Sequence, residues 1–194
     1  MHNFNKTLII VPCGKKKIWD INPTAGKIKA KDAYISNYFK LCKQYAERFA
    51  DEWVILSGKY GIIEPDFIIS GNYDTKLFVS KKFEDKVKRQ LQFVVKNISQ
   101  VISLCGNYYS LFLRDMLYYF NLPLYVPLQG LKIGERQKLL KKCLKENKPL
   151  KIDLHKNILY TAKQNKAFNT SCGASVPSKC FASRKAWKRN TPLK

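Results

Sequence analysis

Residues 7–17 read TLIIVPCGKKK, an apolar run that ends in a proline, a cysteine, a glycine and three lysines. The apolar residues predict a buried strand over Leu8–Pro12, and Gly14 permits a tight turn directly after it. Open α/β sheets bind their ligands where the strands end. We therefore expect a ligand site at this turn, with the cationic side chains of Lys15 and Lys16 placed to bind phosphate.

Three further apolar runs have the length of a strand and end near Gly, Pro or a polar residue. They are Trp53–Ser57, Gln100–Cys105 and Pro123–Leu128. Apolar residues at helical spacing follow each predicted strand, in residues 33–49, 81–98, 107–120 and 134–146. This alternation predicts an α/β fold of three layers (αβα), in which helices cover both faces of a mostly parallel sheet of about four strands.

The chain of 194 residues has a formal net charge of +22, which predicts a polyanionic partner, with nucleic acid as the first choice. Residues 148–194 contain 11 Lys or Arg and a single acid, Asp153, and their periodicity fades. We therefore predict an α/β domain over residues 1–147 and a basic C-terminal extension over residues 148–194. No stretch approaches the ~18 apolar residues of a membrane span, so no membrane partner is expected.

The six cysteines are scattered without a CxxC pair, and the chain has two histidines. This composition argues against a zinc site, and we expect no metal and no cofactor. Reduced thiols and the lack of a signal peptide predict a cytoplasmic protein. Cys13 has two interpretations, a nucleophile whose pKa the lysines lower or a buried packing residue. Lys17, one residue beyond Lys16, is expected to point to solvent.

A second polar turn begins where the second predicted strand stops, in the stretch LSGKYGIIEPDFIISGNYDTKL of residues 56–77. The missing G-x-S-x-G spacing argues against Ser57 as the nucleophile of a hydrolase. Lys59 is a candidate for binding phosphate, and Tyr60 or Tyr73 for stacking on a base. The alternative is a surface loop with ordinary Asx turns.

Two carboxylates of this stretch, Asp66 and Asp74, are candidates for activating water or stabilising a cationic sugar. We expect both at the same sheet edge as Lys15, together with Asn107 after the third predicted strand and Gln129 after the fourth. Asp66 follows a proline and can cap a turn, whereas Asp74 has no helix to cap. We therefore rank Asp74 above Asp66 as the catalytic group.

Cationic side chains interleaved with aromatic ones are typical of grooves that bind nucleic acid. Trp19 and Trp187 lie outside the helical patterns and are further candidates for stacking on bases. In the basic extension, the candidates for binding the nucleic-acid backbone are Lys185, Lys188 and Arg189.

The segments PCGKKK, AKDAYISNYFK, WVILSGKYGIIEPD and YDTKL together resemble a widespread, poorly characterised domain family of bacteria, archaea and phages. The resemblance spans residues 6–135, and this chain has Asn72 where the family shows a proline before Tyr-Asp. In outline the family is similar to the uracil-DNA-glycosylase-like fold. It also has features of the archaeosine-forming enzymes, which act on deazaguanine in tRNA, and of the DNA-binding peroxide-stress proteins.

The resemblance implies base-directed chemistry on DNA or RNA. We favour a DNA glycosylase that flips a modified base out of DNA and hydrolyses its N-glycosidic bond, in defence against phages with modified genomes. A carboxylate can stabilise the oxocarbenium-like transition state of such a reaction. Two alternatives stay open: a non-catalytic protein that binds DNA or RNA, and a nucleobase or nucleotide transferase that grips phosphate with Lys15 or Lys16.

Deleting residues 161–194, which contain eight Lys or Arg and no acid, should lower the affinity for duplex DNA and flatten its salt dependence. Counterion release gives log K against log salt concentration a slope of about −0.9 for each phosphate contact. Titrations of a labelled duplex at several salt concentrations measure this slope for the full and truncated chains. An unchanged slope would contradict a role of the extension in binding.

Overall fold

The computed structural model describes residues 6–152 and the backbone of residues 158–160. The strands are β1 (Lys6–Pro12), β2 (Ile28–Lys29), β3 (Glu52–Ser57), β4 (Gly61–Ile63), β5 (Ile68–Ile69), β6 (Ile98–Ser103), β7 (Leu124–Tyr125) and β8 (Ile158–Tyr160). The helices are α1 (Ala30–Ala33), α2 (Asn37–Phe49), α3 (Lys81–Val94), α4 (Asn107–Leu117) and α5 (Ile133–Glu146).

The predicted three-layer α/β fold is confirmed. The central sheet has the strand order β4-β3-β1-β6-β7-β8, and β1, β3, β6 and β7 form the expected parallel part. β4 and β8 pair antiparallel at the two edges, and β2 and β5 form a separate small ribbon. β8 comes from the segment that was predicted as the extension, whereas the domain boundary at residue 147 itself stays a prediction.

The core lies on both sides of β1, whose residues 8–11 are completely buried. Because side chains alternate along a strand, Leu8 and Ile10 pack in the layer of α3 and α4, and Ile9 and Val11 in the layer of α2 and α5. Burial on both faces explains the unbroken apolar run that the sequence shows. None of the helices in residues 6–152 is long and apolar enough to cross a membrane.

The position of β1 makes one edge of the sheet a topological switch point, where a ligand site is expected. α2 follows β1 on one face, whereas α4 follows the neighbouring strand β6 on the other face. Helices that leave two adjacent strands in opposite directions leave a gap between them, which is where open α/β sheets bind ligands. We call the edge at which β1, β3, β6 and β7 end the carboxyl edge.

Two helices begin at serine caps, and one begins later than the sequence pattern predicts. The hydroxyl oxygens of Ser36 and Ser80 accept backbone N–H bonds at the start of α2 and α3. The helix predicted from residue 33 is interrupted, because Tyr34 forms a β-bridge with Lys17 and the Ile35 N–H donates to the Lys16 carbonyl (3.0 Å). These contacts attach the PCGKKK turn to the chain ahead of α2.

The hairpin of β3 and β4 was missed by the sequence reasoning. Gly61 adopts a φ of 79°, which favours glycine, at the start of β4. The Gln90 side chain of α3 accepts a bond from the Ile62 N–H and donates to the Tyr60 carbonyl, both at 3.0 Å. A side chain almost 30 residues away therefore closes this turn. The local periodicity of the sequence does not reveal this contact.

The segment between residues 70 and 80 has no regular structure, yet it is packed against the end of β3. A Cβ atom at Gly58 would lie 2.7 Å from both the Thr75 carbonyl oxygen and the Leu77 backbone nitrogen. Leu77 itself is buried among side chains of α3 and α4. Only glycine at position 58 lets the loop approach β3 this closely.

Gly58→Ala should lower the free energy of unfolding by about 1–3 kcal/mol, because the new methyl group must displace backbone atoms of the loop. Gly71→Ala is the matched control in the same loop, since a Cβ there meets no atom within 4 Å. Chemical denaturation of the purified variants measures both changes. Equal stability of the two variants would contradict the packing of the loop on Gly58.

Candidate functional site

The turn that follows β1 is fixed at the carboxyl edge by backbone contacts on two sides. The Cys13 N–H donates to the Leu56 carbonyl of β3 at 3.1 Å. A Cβ on Gly14 would lie 2.9 Å from the Ser36 hydroxyl oxygen, so the turn is also pressed against the start of α2. Lys15 and Lys16 remain exposed, as a phosphate-binding role requires.

Lys17 does not point to solvent, and that expectation is wrong. Its side chain is buried at 5% exposure, with the ammonium 4.4 Å from the centroid of the Tyr73 ring. The ammonium donates to the Lys15 carbonyl at 3.0 Å, and no carboxylate of residues 6–152 lies within 4 Å of it. The aromatic face and a single carbonyl therefore stabilise a buried cation at the carboxyl edge.

Tyr73 joins three segments through its hydroxyl group. That hydroxyl is hydrogen-bonded to the Tyr34 hydroxyl and, at 3.0 Å, to the Ser57 hydroxyl. The Ser57 oxygen also accepts the backbone N–H groups of Lys59 and Tyr60, both at 3.2 Å. With both lone pairs of Ser57 occupied, its proton is directed to Tyr73, and the tyrosine is held in one orientation.

Lys59 and Tyr60 complete a wall of cations and aromatic rings around Tyr73. The Lys59 ammonium lies 5.0 Å from the Tyr73 centroid and 5.1 Å from that of Tyr60. The two rings meet edge to face at 5.2 Å, and Tyr60 also contacts Phe67. The structure therefore brings Lys59, Tyr60 and Tyr73 together, and their role in binding stays a prediction.

The surroundings of Cys13 favour the packing interpretation over the nucleophile. Burial raises the pKa of its thiol, and the opposing effects of the Gly58 N–H, the Lys17 charge and the Tyr109 hydroxyl are smaller. Burial likewise raises the pKa of Tyr73, and it raises that of Tyr109 to about 12. At neutral pH Cys13, Tyr73 and Tyr109 therefore present uncharged thiol and hydroxyl groups, which donate and accept hydrogen bonds.

Asp66 lies at the opposite end of the sheet, so the expectation that it shares an edge with Lys15 is wrong. β4 runs back along β3 and carries residues 64–66 to a cleft that Glu52 also lines. The Asp66 carboxylate is 2.9 Å from the ammonium groups of both Lys29 and Lys31, which hold its pKa below the ordinary value. These contacts favour a structural role.

Asp74 lies at the carboxyl edge, as expected. It stands between Tyr73, which is bonded to Ser57, and Thr75, which packs on Gly58. Its side chain is exposed and has no hydrogen-bond or ion-pair partner among residues 6–152. The carboxylate is therefore available to a ligand or to water.

The remaining candidates have mixed outcomes. Asn107 at the start of α4 and Gln129 in the turn after β7 are exposed and follow strand ends at the carboxyl edge. Trp19 is a wrong stacking candidate, because it is 5% exposed and its indole N–H donates to the Gly26 carbonyl. Four candidates lie outside the described residues, namely Lys185, Trp187, Lys188 and Arg189.

Sequence reasoning missed several residues that shape the site. The Asp20 carboxylate accepts bonds from the Lys17 N–H (2.7 Å) and the Asn72 amide (2.8 Å), and these bonds lower its pKa and tie two loops together. The position of Asp20 three residues after Lys17 is a turn pattern that can be recognised in the sequence. The partnership of Tyr34 with Tyr73 spans 39 residues and has no pattern in the sequence.

Arg136 of α5 is a second buried cation that the sequence reasoning missed. It is 7% exposed and donates to the carbonyls of Leu131 (2.9 Å) and Cys105 (3.0 Å). No carboxylate of residues 6–152 lies within 4 Å of its guanidinium. Residues 6–152 also contain no cluster of three His, Cys, Asp or Glu side chains that could hold a metal ion.

Alkylation of Cys13 by iodoacetamide should be slower at pH 7.5 than that of an unfolded cysteine peptide, because only the thiolate reacts and burial raises the thiol pKa. The rate should still be rising with pH where that of the unfolded peptide has levelled off, because the pKa of Cys13 is raised. Peptide mass spectrometry of the native protein over a pH series measures it. Rapid, pH-independent alkylation near neutrality would restore Cys13 as a nucleophile.

Comparison with known proteins identifies similar proteins but assigns no activity. A Bacillus subtilis (strain 168) protein with the name "Uncharacterized protein YfjM" is 41% identical over 116 residues, which cover 58% of this chain and 77% of that protein. No solved structure matches the chain significantly, and the similarity to the uracil-DNA-glycosylase-like fold stays an expectation. Residues 8–142 match the family of unknown function DUF6884, and the chain belongs to this family.

Proposed function

We propose that the chain binds DNA at the carboxyl edge, holds a modified base against Tyr73, and hydrolyses the N-glycosidic bond of that base. The observation that carries the proposal is the environment of Tyr73. Two lysine ammonium groups lie within about 5 Å of its ring, and the unpaired carboxylate of Asp74 follows it directly. A nucleotide offers the matching groups, namely a phosphate, a flat base and a sugar that becomes cationic on cleavage.

The cations of the carboxyl edge suit the phosphate groups. Lys15 and Lys16 are exposed there, and no carboxylate of residues 6–152 lies within 4 Å of the buried cationic groups of Lys17 and Arg136, although Asp20 interacts electrostatically with Lys17. A buried cation that lacks a counter-ion is costly, and a bound anion offsets part of that cost. Asp32 and Asp66 are paired with lysines, whereas Glu47 and Glu64 are exposed without an ion pair among the described residues. The net charge of +22 nevertheless leaves positive charge available to an external polyanion.

The aromatic and hydroxyl groups suit a base. Tyr60 and Tyr73 are half-buried and offer ring surface for stacking. The hydroxyls of Tyr34, Ser57 and Tyr73 form one chain of hydrogen bonds that can continue to a polar atom of the base. Because all these groups stay uncharged at neutral pH, they recognise a base by hydrogen bonding.

Asp74 is the group that we assign to the reaction. Its carboxylate stabilises the positive charge that develops on the sugar and orients a water molecule for attack at the anomeric carbon. A cytoplasmic protein with this activity would act against phages that carry modified bases. The main alternative, a protein that binds nucleic acid without catalysis, is favoured by the same exposed position, because no bond orients the Asp74 carboxylate.

Asp74→Asn should keep the fold and the affinity for DNA while lowering base release at least ~100-fold, the scale of losing one electrostatic or general-base group. The substrates are phage DNAs with different modified bases, and abasic products are detected as alkali-labile breaks. Single-turnover release of free base then gives the rate, and a parallel titration gives the affinity.

Asp66→Asn is the matched control, because it removes a carboxylate of the same chain segment at the other end of the sheet. We expect this variant to release base at the rate of the unmodified protein. If Asp74→Asn leaves the rate unchanged, or lowers binding and release together, Asp74 has no catalytic role. DNA binding without base release by any variant on any substrate would favour the binding protein.

A further inference from the structure

Phe78 is the most exposed of the large apolar side chains of residues 6–152, at 77%. It belongs to the irregular loop that also carries Tyr73 and Asp74. Single exposed apolar residues are common on protein surfaces and need no function by themselves. The contacts on either side of Phe78 distinguish it from such residues.

The backbone that carries Phe78 is held in place, although the ring is free. Leu77 is buried in the core cluster to which α3 and α4 also contribute, and its backbone nitrogen lies close to Gly58. Two residues after Phe78, the Ser80 hydroxyl caps the first turn of α3 by accepting the Phe83 N–H at 3.2 Å. The ring is therefore projected from a fixed support beside the carboxyl edge.

Two exposed lysines lie on either side of Phe78 in the sequence. Lys76 and Lys82 are exposed, and neither has a carboxylate partner among residues 6–152. The N-terminus of α3, with its partial positive charge, begins three residues after Phe78. An apolar tip between two cations fits a duplex, in which the phosphates lie outside and the stacked bases inside.

We propose that Phe78 inserts into the base stack of duplex DNA and fills the gap that a base leaves when it moves into the site at Tyr73. The inference rests on the proposed function and adds that the substrate is a duplex. Extruding a base breaks stacking contacts on both sides of the gap, and an apolar wedge replaces part of them. Lys76 and Lys82 bind the phosphates on either side of the gap.

The test compares two duplexes, one intact and one with a tetrahydrofuran abasic site next to 2-aminopurine, which reports insertion by its fluorescence. The full-length protein should prefer the abasic duplex by about 10-fold, since stacking of one base on an aromatic ring is of this order. Phe78→Ala should lose the preference and the fluorescence change, with less than a threefold effect on the intact duplex. Phe78→Leu should retain most of both.

Phe93→Ala is the matched control. Phe93 is 70% exposed, but it lines a different cleft, together with Glu52, Glu64 and Asp66. This variant should bind like the unmodified protein. The proposal that Phe78 inserts into the base stack is wrong if Phe78→Ala keeps the preference for the abasic duplex. It is also wrong if the unmodified protein has no such preference.

Two further outcomes separate this inference from the proposed function. If Phe78→Ala weakens binding to single-stranded DNA as much as to the abasic duplex, Phe78 stacks on unpaired bases, and the duplex proposal is wrong while the site at Tyr73 stands. If the unmodified protein binds neither duplex nor single strand, the proposed function itself fails. Circular dichroism of each variant checks that the exposed substitution leaves the fold intact.

Discussion

The parallel pairing of β1 with β3 on one side and β6 on the other is the constraint on which the site depends. Leu8–Val11 is buried on both faces, so β1 cannot shift its register without moving apolar side chains between the two layers of the core. The fixed register sets where the strand stops. It therefore places the cationic turn at Lys15 beside the ends of β3 and β6, at the point where helices leave on opposite faces.

The loop between residues 70 and 80 shows how a segment without secondary structure is nevertheless positioned. Its contacts are side-chain contacts: Asn72 with Asp20, Tyr73 with Ser57, and Leu77 with the core below Gly58. Three attachment points over six residues leave little freedom to the backbone between them. Asp74 lies inside this span, so its position is defined even though no bond holds its carboxylate.

The parallel strands and the longer helices could be predicted from the sequence, because they follow from local apolar periodicity. The edge of the sheet that carries the candidate site could also be predicted, because open α/β sheets bind ligands where their strands end. The four parallel strands and the longer helices agree with their apolar runs to within a few residues, apart from the short β7. β4 could not be predicted, since its turn depends on Gln90 of a later helix. The burial of Lys17 could not be predicted either, because the ring that covers it comes from Tyr73.

The prediction for Asp66 was wrong for a related reason. A chain segment that follows a strand end was taken to remain at that end, but β4 runs back along β3 and carries Asp66 to the cleft that Glu52 lines. A three-residue strand is too short to recognise by alternation, and its direction decides on which edge the next carboxylate lies. The prediction for Asp74 was not affected, because the chain returns to the carboxyl edge, where the Tyr73 hydroxyl is hydrogen-bonded to the Ser57 hydroxyl.

The arrangement of the few carboxylates is informative in a chain of such high positive charge. Asp32 and Asp66 each lie within 3 Å of a lysine ammonium, which is the expected arrangement wherever cations are in excess. Asp74 has no such partner, although it lies at the edge that carries Lys15, Lys16 and Lys59. An unpaired carboxylate there weakens the attraction for a polyanion and makes no stabilising contact within residues 6–152. The proposed role in catalysis would explain its position.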